Sequence, residues 1–252
     1  MDLSPAGLDP ELAAAPLVRD RFRRALTTAM AVVVAMGAVF FAQPHLPVQA
    51  LAISPQQPAG LVGVLFAPLL HGSFGHLAAN AFAVLVLGTL AGTVFPRATV
   101  RALPVIWLLS GFGTWLIGTG GVHLGASGVT HGLGFLVFTL GVLRRDRPAI
   151  AAALIGFFLF GGMLVSVLPV EMGVSWEYHL SGALAGVLCG IVWRRADPPP
   201  PRRRYSWEDE PEVLPDETLE PPAPDTVPVL WNRPEPREER GVVLPFRRPD
   251  AD

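Results

Sequence analysis

The amino-acid sequence predicts an all-α membrane protein, in which a bundle of six membrane-spanning helices precedes a disordered cytoplasmic C-terminal tail. Apolar residues make up 51% of the 252 residues, and the mean hydropathy is +0.44. Charged residues are concentrated at the two ends, and between residues 25 and 193 the only carboxylates are those of Asp146, Glu171 and Glu177. A soluble domain of this length would instead spread charge along its helix faces.

Six apolar segments are long enough to cross a bilayer, which takes about 20 helical residues each. Hydrocarbon offers the backbone no hydrogen-bond partners, so each crossing segment must be helical. These segments define a membrane domain over residues 25–193, preceded by a cytoplasmic leader over residues 1–24. The predicted spans are Ala25–Ala42, Leu77–Phe95, Ala102–Gly120, Ala126–Leu143, Ala149–Leu168 and Trp176–Trp193.

Arginine sets the predicted orientation, because the chain contains no lysine. Arginines lie before the first span, between the second and third, between the fourth and fifth, and after the sixth, whereas the three alternate loops contain none. The positive-inside rule then places both termini in the cytoplasm, and we expect a multi-pass protein of the cell membrane. Membrane orientation accounts for these arginines, so no nucleic-acid partner is expected.

The first apolar segment has a second interpretation. Arginines before it and small residues after it, near Val48–Ala50, are also typical of a secretory signal peptide. Cleavage there would leave five spans with the same orientation. The long charged leader and the nearly full-length apolar run favour a retained helix.

Two further regions are predicted not to cross the membrane. Residues 194–252 are rich in Pro, Glu, Asp and Arg and have no helical or strand period, so we interpret them as a disordered tail. The apolar stretch Leu61–Ala67, in the long loop after the first span, is too short to cross. We expect it to lie in the interface or to pack over the helix ends.

Polar side chains cluster at one predicted depth. Because chain direction alternates, spans two, four and six all begin at the outer surface. His76 and Asn80 lie at the start of span two, Ser127 at the start of span four and His179 at the start of span six. At about 1.5 Å per residue, each lies within one or two turns of that surface. Polar groups inside a membrane are usually functional, so this cluster predicts a site.

Hydrolysis of an acyl bond is the chemistry that these groups favour. A serine hydroxyl becomes a nucleophile when a base takes its proton, which predicts Ser127 as nucleophile and His179 as base. Glu177 lies two residues from His179 and points elsewhere on a helix, so we predict a dyad. His76 and Asn80 lie on one helical face and could donate hydrogen bonds to an oxyanion, beside the backbone N–H of Ser127.

Glycines supply the predicted geometry around both residues. Flexible chain precedes Ser127, at Gly118, Gly120, Gly121 and Gly125. Pairs of glycines four apart lie next to the predicted catalytic residues: Gly128 with Gly132, and Gly182 with Gly186. Such pairs let helix backbones approach closely, as a Ser–His contact between two helices requires. The alternative is that each glycine serves packing alone.

Three motifs together resemble the rhomboid intramembrane serine proteases over residues 25–193. The motifs are His71-Gly-Ser-Phe-Gly-His76-Leu-Ala-Ala-Asn80, Gly125-Ala-Ser127-Gly128 and His179-Leu-Ser-Gly182-Ala-Leu-Ala-Gly186. The resemblance implies that Ser127 is the nucleophile and His179 the base. It also implies that His76 and Asn80 stabilise the oxyanion and that His71 supports the start of the second span. Transmembrane segments of other proteins would be the substrates, with no cofactor and no metal.

Two departures from the family pattern bear on this expectation. The outer loop lacks the Trp-Arg pair that many rhomboids carry, and His131 stands where an aromatic residue often stacks on the catalytic histidine. Neither removes a catalytic group. The alternatives are an inactive rhomboid-like chaperone or scaffold, a bundle whose polar groups merely satisfy one another, and metal or haem binding by the outer histidines.

Overall fold

The computed structural model describes residues 10–170 and 173–199. The predicted leader and tail therefore lie partly outside the described residues, as does Glu171. Within the described residues nine α-helices follow in chain order: α1 Pro10–Ala42, α2 Val48–Leu51, α3 Leu61–Phe66, α4 Phe74–Val94, α5 Pro96–Ile117, α6 Ser127–Arg144, α7 Arg147–Phe160, α8 Met163–Ser166 and α9 Trp176–Val192.

Four helical segments are long and apolar enough to cross a membrane: Pro16–His45, Phe74–Val94, Pro96–Ile117 and Ser127–Arg144. The helices α7 and α9 are shorter, with 14 and 17 residues. The all-helical prediction is thus confirmed for the described residues, while the count of six crossings stays a prediction. Helix α1 begins at Pro10, well before the predicted start of the first span at Ala25.

The prediction of one continuous helix over Ala149–Leu168 is wrong. Helix α7 ends at Phe160, Gly161 and Gly162 form a turn, and α8 is a separate short helix. Two consecutive glycines weaken a helix, because each loses more backbone freedom on ordering than any other residue. The break turns α8 toward the start of α9, which it contacts.

The chain remains ordered beyond the predicted tail boundary at residue 194. Residues 193–197 form a turn, and the Asp197 carboxylate accepts hydrogen bonds from the backbone N–H groups of Arg97 and Ala98, at 3.1 and 2.8 Å. These N–H groups lie in the first turn of α5 and have no partner within the helix. Asp197 therefore anchors the turn after α9 to the start of α5.

Helix α6 occupies the centre of the bundle. It packs most closely against α9 and also contacts α4, α5 and α7, whereas α1 packs along α4. The largest group of mutually packed buried side chains lies around α6 and includes Leu87, Phe95, Ile106, Leu136 and Val137. The first turn of α6 is thereby held on several sides.

The apolar stretch of the outer loop packs against the side of α5, whereas the sequence predicted a position in the interface or over the helix ends. The backbone carbonyl of Leu65 in α3 accepts a hydrogen bond of 3.1 Å from the Trp107 indole in α5. A Cβ atom at Gly111 of α5 would lie 3.0 Å from the Cα atom of Val64, so the absence of a side chain there permits close approach. The loop thus covers one face of α5.

Candidate functional site

The predicted site residues lie at one end of the bundle, where α4, α6 and α9 begin. His76 and Asn80 belong to the first two turns of α4, Ser127 is the first residue of α6, and His179 lies in the first turn of α9. Asn80 and His179 are buried, whereas Ser127 and His76 are partly exposed. We call this end of the bundle the motif end.

His131 links the helix that carries Ser127 to His179. Its Nδ1 atom lies 2.7 Å from the backbone oxygen of Ser127. Its imidazole stacks on that of His179, with ring centroids 3.9 Å apart and an interplanar angle of 12°. A histidine thus performs the stacking for which the resemblance suggested an aromatic side chain.

Ser166 of α8 contacts both stacked histidines. A carbonyl oxygen only accepts hydrogen bonds, so His131 Nδ1 must donate to Ser127 and its Nε2 accepts from the Ser166 hydroxyl at 2.8 Å in the neutral ring. The backbone oxygen of Ser166 lies 3.0 Å from His179 Nδ1, which must also be a donor. In neutral His179, Nε2 is therefore the proton acceptor.

The structure brings Ser127 and His179 to facing helices without a direct hydrogen bond. Among the described residues, the Ser127 hydroxyl and the His179 imidazole share no bond. Hydrogen bonds between catalytic groups are often long or poorly aligned before substrate binds. The contacts that are present orient His179 from two sides, through the His131 ring and the Ser166 carbonyl.

His76 lies against the chain segment that precedes Ser127. A Cβ atom at Gly125, whose φ is +115°, would lie 2.6 Å from His76 Nε2, so only glycine leaves room for this imidazole. The Asn80 amide donates to the His76 backbone oxygen at 3.0 Å. One amide proton of Asn80 is used in that bond, and a second remains available to a ligand.

His71 ties three parts of the motif end together. Its backbone N–H and C=O pair with the Gln43 amide at 2.8 and 2.9 Å, and its Nε2 atom is 3.4 Å from the Ala126 backbone nitrogen. Its ring meets that of His76 edge to face, with centroids 5.1 Å apart. Burial and the neighbouring His76 lower the pKa of His71 to about 4. A neutral His71 suits this supporting position.

Glycine pairs allow α6 and α9 to approach closely. A Cβ atom at Gly182 would overlap the carbonyl group of Gly128, and one at Gly186 would overlap that of Gly132. Gly128 also faces the buried ring of Tyr178, which a side chain at residue 128 would displace. Gly128, Gly182 and Gly186 are therefore each required by a close approach between these two helices, whereas a Cβ atom at Gly132 would overlap the Ile106 side chain of α5.

Comparison with known proteins adds an independent observation to this geometry. The family model described as "Rhomboid domain" matches residues 58–196. This chain belongs to the rhomboid family. Together with its apolar helices, the match shows that the protein is an integral membrane protein. The resemblance of the sequence to rhomboids is confirmed.

Relatives of this rhomboid come from mycobacteria. Uncharacterised proteins of Mycobacterium bovis and Mycobacterium tuberculosis are each 43% identical to it over 149 residues, which cover 56% of this chain and 62% of the relative. An uncharacterised Mycobacterium leprae protein is 38% identical over 142 residues, covering 52% and 56% respectively. The chain thus spans about three-fifths of the length of the first relatives it matches.

A second polar cluster connects the loops before α6 and α9 in this rhomboid. The Glu177 carboxylate accepts from the backbone N–H and the hydroxyl of Thr119, at 2.9 and 2.6 Å. His123 Nδ1 lies 2.5 Å from the Ser175 hydroxyl. Burial lowers the pKa of His123. Glu177 is thus committed to Thr119 and makes no hydrogen bond to His179 among the described residues.

Two residues that contact the site of this rhomboid, Gln43 and Ser166, were not predicted from the sequence. Gln43 follows directly after α1 and lacks any local motif, so no sequence signal identified it. For Ser166 a signal existed, because Gly161-Gly162 interrupts the fifth apolar segment and a serine follows within one helical turn. No group of three or more His, Cys, Asp or Glu side chains that could hold a metal ion occurs in residues 10–170 and 173–199.

Proposed function

We propose that this rhomboid is an intramembrane serine endopeptidase that cleaves transmembrane segments of other membrane proteins with a Ser127–His179 dyad. The contact of His179 Nδ1 with the Ser166 carbonyl is the observation that carries the proposal. It assigns the ring proton to Nδ1 and leaves Nε2 as a base. His179 lies on α9, which packs closely against α6 through glycines on both helices. A base held in one tautomer is what activation of a serine requires.

The proposed reaction follows from these roles. His179 Nε2 takes the proton of the Ser127 hydroxyl as its oxygen attacks the scissile carbonyl. The resulting oxyanion accepts hydrogen bonds from His76, Asn80 and the Ser127 backbone N–H, which is free because it lies in the first turn of α6. Protonated His179 then donates to the leaving amine, and water hydrolyses the acyl-enzyme with His179 again as base.

The membrane arrangement is part of the proposal. Six crossings would be made by α1, α4, α5, α6, α7 with α8, and α9, with both termini in the cytoplasm and the motif end in the outer leaflet of the cell membrane. Alternation of arginine-rich and arginine-free loops supports this orientation. A substrate helix would approach laterally beside α7 and unwind there, because a helical carbonyl is hydrogen-bonded and shielded until the helix opens.

A fluorophosphonate activity probe tests the proposal on the detergent-solubilised protein. We expect labelling of the wild type and none of Ser127→Ala or His179→Ala, with all three equally folded. Ser110→Ala is the matched control and should label normally, because the Ser110 hydroxyl is buried and donates to the Trp107 carbonyl at 3.1 Å, so it is not an accessible nucleophile. Undiminished labelling of Ser127→Ala, or no labelling of folded wild type, would refute the dyad. The second result would favour an inactive chaperone or scaffold.

A further inference from the structure

A large cavity extends along the bundle between α1 and α5, from the end opposite the motif end as far as the first two turns of α6. Its volume is about 840 Å³, and its walls come from α1, α4, α5 and the inner side of α6. It exists because α1 packs along α4, whereas α5 packs chiefly against α9, which leaves a gap between α1 and α5. This size is within the range of pockets that enclose a small ligand.

Three arginines stand at one end of this cavity. Arg21 and Arg24 extend from the first half of α1, and Arg97 from the first turn of α5. Among the side chains of residues 16–170 and 173–199 the one salt bridge joins Arg144 to Asp146, so these three guanidinium groups have no carboxylate partner there. The nearby Asp197 carboxylate binds two backbone N–H groups of α5 and does not line the cavity.

The rest of the cavity is mainly apolar, and one buried hydroxyl without a hydrogen-bond partner lies beside it. Apolar side chains such as Val32, Leu103 and Leu133 form its walls. Thr99 also lines it, and the buried hydroxyl of Thr99 has no hydrogen-bond partner among the described residues. Threonines in helices commonly donate to a carbonyl three or four residues earlier, and Thr89 and Thr93 do so at 2.6 Å. The Thr99 hydroxyl does not, and it is an unpaired polar group beside the cavity wall.

We infer that this cavity binds an anionic phospholipid from the leaflet next to the arginines. The guanidinium groups would hold the phosphate, and one acyl chain would lie along the apolar walls. Arginine matches phosphate geometry better than any other side chain, and basic pockets between membrane helices are a known mode of lipid headgroup binding. This inference does not depend on the proposed proteolysis.

A lipid so placed would also contact the helix that begins at Ser127. Val129 and Leu133 of α6 reach the inner wall of the cavity, which brings an acyl chain against the first two turns of that helix. The lipid would fill the gap between α1 and α5 and resist its collapse or widening.

Retention of lipid by the full-length protein tests the headgroup contacts. The wild type is reconstituted with equal amounts of phosphatidylglycerol and phosphatidylcholine, and the lipid retained after transfer to the gas phase is measured by native mass spectrometry. We expect the wild type to retain one phosphatidylglycerol molecule. Its binding affinity should fall about fivefold in Arg24→Gln or Arg97→Gln and about 30-fold in the double variant. Arg101→Gln is the matched control, because Arg101 is exposed on the same helix as Arg97 but does not line the cavity.

The arginine variants also define the results that would overturn the inference. Equal retention of the two lipids would refute recognition of an anionic headgroup. Equal weakening by Arg101→Gln would show only a general attraction of charge to the surface. Competition by soluble glycerol phosphate as strong as that of the lipid would assign the arginines to a free phosphate.

Two further measurements test the acyl chain. We expect Val32→Trp, which fills the cavity, to lower retention of phosphatidylglycerol at least about fivefold, whereas Val34→Trp should not, because Val34 is exposed on α1 outside the cavity. A photoreactive benzophenone residue in place of Val100, which lines the cavity, should form adducts with phospholipid in membranes. Unchanged retention in Val32→Trp, or adducts with polypeptide instead of lipid, would overturn the assignment.

Discussion

Replacement of Gly186 by alanine tests whether the close approach of α6 and α9 stabilises this rhomboid. A Cβ atom at residue 186 would lie 2.9 Å from the carbonyl carbon and 3.0 Å from the Cα atom of Gly132, and it would overlap the carbonyl oxygen. Ordinary contacts begin near 3.4 Å, so the two helices must separate by at least about 0.5 Å. Both partners are backbone, so a side-chain rotation cannot relieve the overlap.

The expected loss can be estimated from two opposing effects. Overpacking of a close interface costs about 1–3 kcal/mol, whereas Gly→Ala within a helix stabilises by about 1 kcal/mol. We therefore expect Gly186→Ala to lower the free energy of unfolding by up to about 2 kcal/mol. Unfolding in mixed micelles with a rising fraction of denaturing detergent, followed by circular dichroism, measures this difference.

Gly37→Ala is the matched control for this experiment. Gly37 lies within α1, and a Cβ atom there would have no heavy atom within 4 Å. We expect this variant to equal or exceed the wild type in stability, by up to about 1 kcal/mol. If Gly186→Ala were as stable as Gly37→Ala, the glycine contact would not limit the approach of α6 and α9, and the reasoning from contact distances would be refuted.

Three other predictions concern the site and the loop between α6 and α7. Asn80→Ala should lower kcat about 10²–10³-fold with little change in KM, as loss of one oxyanion donor does; a change in KM alone would contradict that role. His131→Phe keeps the stack on His179 but loses both hydrogen bonds, so its kcat should lie between those of wild type and His131→Ala. If His131→Phe and His131→Ala had the same kcat, stacking on His179 would not contribute to catalysis. Hydrogen bonds from Arg144 hold the pKa of Asp146 below 3.8, so the ionised form stabilises the fold above that pH and the gain is lost as pH falls through the folded-state pKa. Thermal stability should accordingly differ between wild type and Asp146→Asn at neutral pH and converge once the pH falls below the folded-state pKa of Asp146, and a gap that persists in acid would contradict the charge pair.

The residues of the motif end could be named from the sequence because their signals are local. Ser127, His179, His76 and Asn80 each lie near the start of an apolar segment, and short motifs surround them. Their proposed roles in catalysis remain predictions, which the activity probe tests. The role of Ser166 could not be named, because it depends on where the turn at Gly161–Gly162 directs the chain in space.

The sequence by itself determined the rhomboid family, the helical class and the insertion of the protein in a membrane. These properties depend on composition and on short motifs, since apolar segments in hydrocarbon must satisfy their own backbone hydrogen bonds. The tertiary structure alone decided the direction of α8, the bonds of Ser166 to two histidines, the docking of Asp197 on α5 and the cavity between α1 and α5. Each of these depends on packing between segments that are distant along the chain. The sequence does not show which surface a glycine pair or an arginine contacts in the folded protein.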